Sequence, residues 1–241
     1  MGESDITGKD DLATLLDEIR ACRACVEAPI RASLPHRPRP VVQASSTARL
    51  CIAGQAPGTR VHATGIPFND PSGDRLRDWL GVGREVFYDP CRLAIVPMGF
   101  CFPGLDAKGG DLPPRRECRA LWHDRLYEAM PQVELVLAIG QYAQAYHLGA
   151  DRKRNLTETV GHWRQIFAGE RRPRILPLPH PSWRNNAWLK RNPWFETDLL
   201  PVLRAEVARL IDIKARHQDP KQADRTVETG FTVNRDLRSK G

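Results

Sequence analysis

No stretch of this sequence approaches the roughly 18 consecutive apolar residues that a membrane-spanning helix needs, so a membrane protein is not expected. The segment Met1 to Asp11 also lacks the basic head and apolar centre of a secretory signal, which argues against export and for a cytoplasmic location. Internal repeats and low-complexity tracts are absent, which sets aside solenoids and fibrous arrays. What is present is an ordinary globular balance, 41% hydrophobic and 27% charged residues, incompatible with wholesale disorder or a disulfide-dense scaffold. The 241 residues suffice for one large domain with appendages. A net charge of +7 favours a polyanionic partner, with nucleic acid the leading candidate.

Short apolar runs recur at Arg49 to Ala53, Leu93 to Val96, Val133 to Ile139 and Ile175 to Leu178, each rich enough in Leu, Ile and Val for a buried strand. Helical spacing separates most of them. A helix is predicted from Asp11 to about Ala24, one opening near Ser72, and others over Arg115 to Met130, Gln141 to Leu148 and Asp198 to Ile213. The proline-rich stretch Pro29 to Pro40 reads as an extended connector. This alternation predicts a three-layer α/β/α sandwich around a central, mainly parallel four-stranded sheet. The domain should span residues 1–213, followed over 214–241 by a charged tail that is a solvated appendage or a weak DNA contact.

Each expected strand runs into an unusual polar or glycine-containing turn: Gly54-Gln55-Ala56-Pro57-Gly58, Met98-Gly99-Phe100-Cys101, Gly140-Gln141-Tyr142 and His180-Pro181-Ser182. In an open parallel sheet the carboxyl ends of the strands are where ligands bind, because loops and helix N-termini converge there. One cleft is therefore expected to gather all four turns.

At these residues the sequence resembles the uracil-DNA glycosylase superfamily, specifically its iron-sulfur members, closest to the family 4 and family 5 enzymes. The Gly-x-Ala-Pro-Gly turn stands at Gly54 to Gly58, Gly-x-Pro-Phe at Gly65-Ile66-Pro67-Phe68, a Ser-Gly helix start at Ser72-Gly73, and His-Pro-Ser at His180-Pro181-Ser182. Order and spacing are kept over about residues 12 to 210. The resemblance implies hydrolytic removal of uracil or a related deaminated base from DNA in base excision repair. The enzyme would be a monomer and monofunctional, since the motifs place no lysine for a Schiff base.

Cys22 and Cys25 have two residues between them, and Cys101 and Cys118 have sixteen. Four thiolates suit a four-iron four-sulfur cluster or a zinc ion, and spacing alone leaves both open. The resemblance favours the 4Fe-4S cluster, in a structural role. Cys51 and Cys91 read as buried core thiols.

Excising a base requires a stacking surface, a donor for the departing anion and a carboxylate for water. By resemblance Phe68 stacks on the base, His180 donates to its carbonyl oxygen, the Gln55 side chain joins the catalytic set as a further donor or base contact, and Gly54, Ala56 and Asn69 contact the base. Some superfamily branches carry an Asp or Glu in the first motif, but here those positions are Ala56 and Gln55. Asp70 then becomes the expected carboxylate; a helix cap is its alternative identity. An Asn that reads uracil in some families is replaced by Pro97, which leaves the preferred base open. Ser182 is expected on a phosphate, Trp183 or Arg184 as a wedge in the duplex, and Arg184, Lys190 and Arg191 as phosphate neutralisers. Trp188 and Trp194 are expected to pack beneath that loop. The rival from another class is a non-catalytic DNA-binding or damage-recognition protein of the same fold.

Overall fold

The computed structural model describes residues 11–211. The expected tail and the boundary at residue 213 lie outside these residues. Within them, β1 (Leu50–Ala53), β2 (Leu93–Ile95), β3 (Leu135–Ile139) and β4 (Arg174–Leu178) form one all-parallel sheet in the order β2-β1-β3-β4. Leu50 lies opposite Leu93 on one side and Leu135 on the other, and Leu135 opposite Arg174.

Both faces of the sheet are covered, which explains why the strands read as continuous apolar runs rather than alternating ones. On one face Leu50, Ile52, Leu93, Leu135, Leu137 and Leu176 pack into a core supplied by the helices Pro71–Leu80 and Leu200–Ile211. On the other, Cys51, Ala53, Ala94, Val136 and Ile175 meet the helices Leu12–Ala21 and Gly140–Leu148. The three-layer sandwich is thus the observed architecture. Small residues on the second face, such as Ala53, Ala94 and Ala138, give the helices there little side-chain bulk to pack against.

Several local expectations need correction. The first helix stops at Ala21 and a second short one, Ala24–Glu27, carries Cys25. The long helix near residue 120 runs from Arg116 to Glu128 and contains one wider turn at Arg119–His123. Cys91 is exposed rather than buried: β2 begins only at Leu93, and Cys91 lies in the preceding turn, where its amide donates to Asp89 Oδ1 at 2.9 Å. Cys51 is buried as expected, and burial pushes its thiol up to about 12. Trp188 packs edge-on against Trp194 and Phe195, and its indole N–H donates to Thr157 Oγ1 at 2.8 Å.

Candidate active site

In the order β2-β1-β3-β4 the chain moves one way from β1 and then crosses back to β3, so the carboxyl ends beside β1 open a crevice where loops diverge. A cleft of about 410 Å³ opens there, lined among others by Gly54 to Gly58, Phe68, Asp70, Pro97, Asp111, His180 and Arg184. The expected turns after β1 and β4 thus share one site, and the stretch after β2 contributes Pro97, Gly110 and Asp111 rather than the expected Met98-Gly99-Phe100-Cys101. The fourth expected turn does not join it, because β3 passes straight into a helix at Gly140, leaving no loop to reach over.

Phe68 enters the cleft on strained backbone. Its φ is +51°, a left-handed conformation that costs a non-glycine residue of order 1 kcal/mol. Two contacts hold it there. Its carbonyl oxygen accepts from Tyr88 Oη at 3.4 Å, and its ring meets Phe87 edge-on at 6.0 Å. Gly73 makes the turn possible, since a Cβ there would stand 1.7 Å from the Phe68 carbonyl oxygen. The Phe68 ring passes 3.4 Å from where a side chain on Gly54 would begin, so the aromatic plate lies across the first-motif turn.

Asp70 has both identities weighed for it. It is the N-cap of the helix Pro71–Leu80, with Oδ1 accepting from the Gly73 amide at 2.9 Å, and it lines the cleft. Its second oxygen makes no hydrogen bond among the described residues.

The His180 ring has a defined tautomer. The Ser182 amide donates to Nδ1 at 3.2 Å, so Nδ1 accepts and the neutral ring carries its proton on Nε2. Burial holds this imidazole below its ordinary range, opposed by the nearby Asp70 and Asp111 carboxylates. A neutral ring with a free Nε2–H is a hydrogen-bond donor that costs no charge of its own. The loop is braced by Asn185 Nδ2, which donates to the His180 carbonyl at 2.7 Å, and by Arg75, whose guanidinium donates to the Ser182 carbonyl at 3.2 Å.

The remaining expected site residues divide. Gly54, Gln55, Ala56, Ser182 and Arg184 line the cleft; Asn69 is not among its lining residues. Gln55 Nε2 donates to the Leu112 carbonyl at 3.3 Å, so this side chain ties the first-motif turn to the loop after Cys101. Ser182 Oγ accepts from the Arg184 amide. Trp183 is 72% exposed and stands beside the cleft, while Lys190 and Arg191 are exposed on the short helix Asn186–Arg191. Sequence reasoning missed Asp111 and Asn185. A signal for Asp111 existed in Gly109-Gly110, a turn that directs the following acid back towards the sheet.

The four expected cluster cysteines also come together. Cys25, Cys101 and Cys118 lie within electrostatic reach of one another, Cys22 reaches Cys101, and Leu34 packs on Cys25 and Cys101. The Phe100 amide donates to Cys118 Sγ at 3.3 Å. Among the described residues no group of three or more His, Cys, Asp or Glu stands in metal-holding geometry. The donor set itself, four soft thiols with three buried and one receiving an N–H, has the chemistry an iron-sulfur cluster requires.

Fold and cleft define a parallel α/β protein that places an aromatic ring, a neutral imidazole and carboxylates at the strand carboxyl ends. A family model for the uracil DNA glycosylase superfamily matches residues 41–204, and the chain belongs to that superfamily. The matched span contains Gly54 to Gly58, Phe68, Asp70, Asp111 and the His180-Pro181-Ser182 loop.

Proposed function

We propose that the protein hydrolyses the N-glycosidic bond of uracil, or of a related deaminated base, in DNA and leaves an abasic site. The observation that carries this reading is the company His180 keeps: its Nε2–H donor shares one cleft with Phe68 and Asp70. The flipped base stacks on Phe68, and His180 donates to its carbonyl oxygen as negative charge develops there, electrostatic stabilisation made in the transition state. Asp70 orients the water and balances the cationic sugar. Among the residues lining the cleft there is no lysine, in keeping with a monofunctional enzyme.

DNA would approach across Ser182, Arg184, Lys190 and Arg191, with the exposed Trp183 filling the space the base vacates. Cys22, Cys25, Cys101 and Cys118 would hold a 4Fe-4S cluster that fastens the N-terminal helices to the loop after β2. Visible iron-sulfur absorption with matching iron content checks this; a colourless preparation containing zinc contradicts it.

Single- and double-stranded oligonucleotides carrying one uracil, hypoxanthine, xanthine or etheno base test the function. Alkali-labile strands are expected with uracil or another deaminated base. Strands that stay whole at high enzyme concentration, despite DNA binding, would favour the non-catalytic reading instead.

A further inference from the structure

We propose that Asp111 is a second working carboxylate of this cleft and the group that accepts the proton of the attacking water. The inference rests on the glycosylase reading above and assigns within it a role separate from that of Asp70.

Asp111 is held in position by its hairpin. Leu105 and Asp111 form an isolated antiparallel bridge, the Leu112 amide donates to the Gly104 carbonyl at 3.0 Å, and Gln55 anchors Leu112 to the first-motif turn. One oxygen of the Asp111 carboxylate stands 3.9 Å from where a side chain on Gly58 would begin, so the acid overhangs that turn. The titratable and charged groups facing it are Arg184, His180, Asp70 and Asp106.

The two cleft carboxylates live in different surroundings. Asp70 caps a ten-residue helix and gives Oδ1 to the Gly73 amide, so one of its two oxygens is already engaged in holding the helix start. Asp111 makes no side-chain hydrogen bond among the described residues, and desolvation by the cleft wall pushes its carboxyl above the usual carboxylate range, only partly offset by the Arg184 guanidinium. Where two carboxylates share a site, the one with the raised affinity for protons is the better base.

The step balances as follows. The C1′–N bond breaks and its electron pair leaves on the base, whose carbonyl oxygen is held by His180 Nε2–H. Water oxygen bonds to C1′, and the water proton passes to the Asp111 carboxylate and then to solvent. The departing base anion takes a proton from solvent, while the Asp70 carboxylate offsets the positive sugar.

Asp111→Asn should lower single-turnover excision about 100- to 10,000-fold with DNA affinity kept or improved, since one negative charge is removed near the backbone. In the wild type the rate should fall on acidification at a pH above the ordinary carboxylate range, as Asp111 takes up its proton. That limb should vanish from the residual activity of Asp111→Asn and persist in Asp70→Asn. Formate should restore part of the activity of Asp111→Gly, which a structural role would not allow. An Asp111→Asn rate within twofold of wild type overturns the proposal. So does a reduced rate with the acid limb unmoved and no rescue by formate. Inactivity of the wild type towards every base would instead remove the glycosylase reading on which the proposal stands.

Discussion

Gly73 shows how much of this site depends on a missing side chain. A Cβ at that position would collide with the Phe68 carbonyl oxygen, which cannot yield because the Phe68 backbone is already in the left-handed region. Gly73→Ala should therefore cost roughly 1–3 kcal/mol, the usual range for forced overpacking, and should move Phe68 off the first-motif turn. Urea denaturation reads the first effect and excision rate the second; a fully stable, fully active variant would contradict the geometry. Motif spacing points to Phe68, His180 and Asp70, and the structure brings the three into one cleft. For Asp111 the Gly109-Gly110 turn marks only a local reversal; what carries the acid to the cleft is the Leu105 bridge and the Gln55 tether, both products of tertiary contact. Cys91 was misread for a related reason: proximity to an apolar run in sequence does not fix where a strand begins.

Among the elements, the helix Gly140–Leu148 connects the core to the site. Gln144 on this helix is 1% exposed, and its Nε2 donates to the Ala138 carbonyl at 3.4 Å and to the Leu178 carbonyl at 3.0 Å. It thereby spans the ends of β3 and β4, two residues before His180. Gln144→Leu leaves both carbonyls without that donor in the interior and should destabilise the fold by about 1–3 kcal/mol. Because β4 carries the His180 loop, the turnover rate should fall more than substrate affinity; equal losses in both would argue against a positioning role. The four strands were readable because burial on both faces makes them continuous apolar runs. The short helices Thr59–Thr64, Leu156–Gly161 and Trp163–Ala168 were not, since each has six residues, too few for helical periodicity to show.

At the scale of the whole molecule, neutral imidazoles make the fold sensitive to acid. Burial lowers His180, and it lowers His147 from an ordinary value of 6.5 to about 3. Below pH 6.5 the unfolded chain binds protons that these rings refuse in the folded state, so stability present above that pH is lost progressively as pH falls towards 3. The melting temperature should drop steadily between pH 6.5 and 4, and His147→Gln should flatten part of that slope; a melting temperature independent of pH would contradict the burial of these rings. The three-layer architecture followed from the alternation of strands and helices. That the cleft draws on two of the four expected turns did not, since β3 enters its helix without a loop and the stretch after β2 reaches the cleft through Pro97, Gly110 and Asp111 instead.

On the proposed reading this cleft breaks a glycosidic bond with its own carboxylate and imidazole. The most direct test is to count free uracil and abasic sites released from an oligonucleotide with a single uracil, by mass spectrometry, for the wild type and for His180→Ala. Equal amounts of both products from the wild type, with release at least a hundredfold slower in the variant, is the expected result. Free base in equal yield from both proteins would show that excision does not pass through this site.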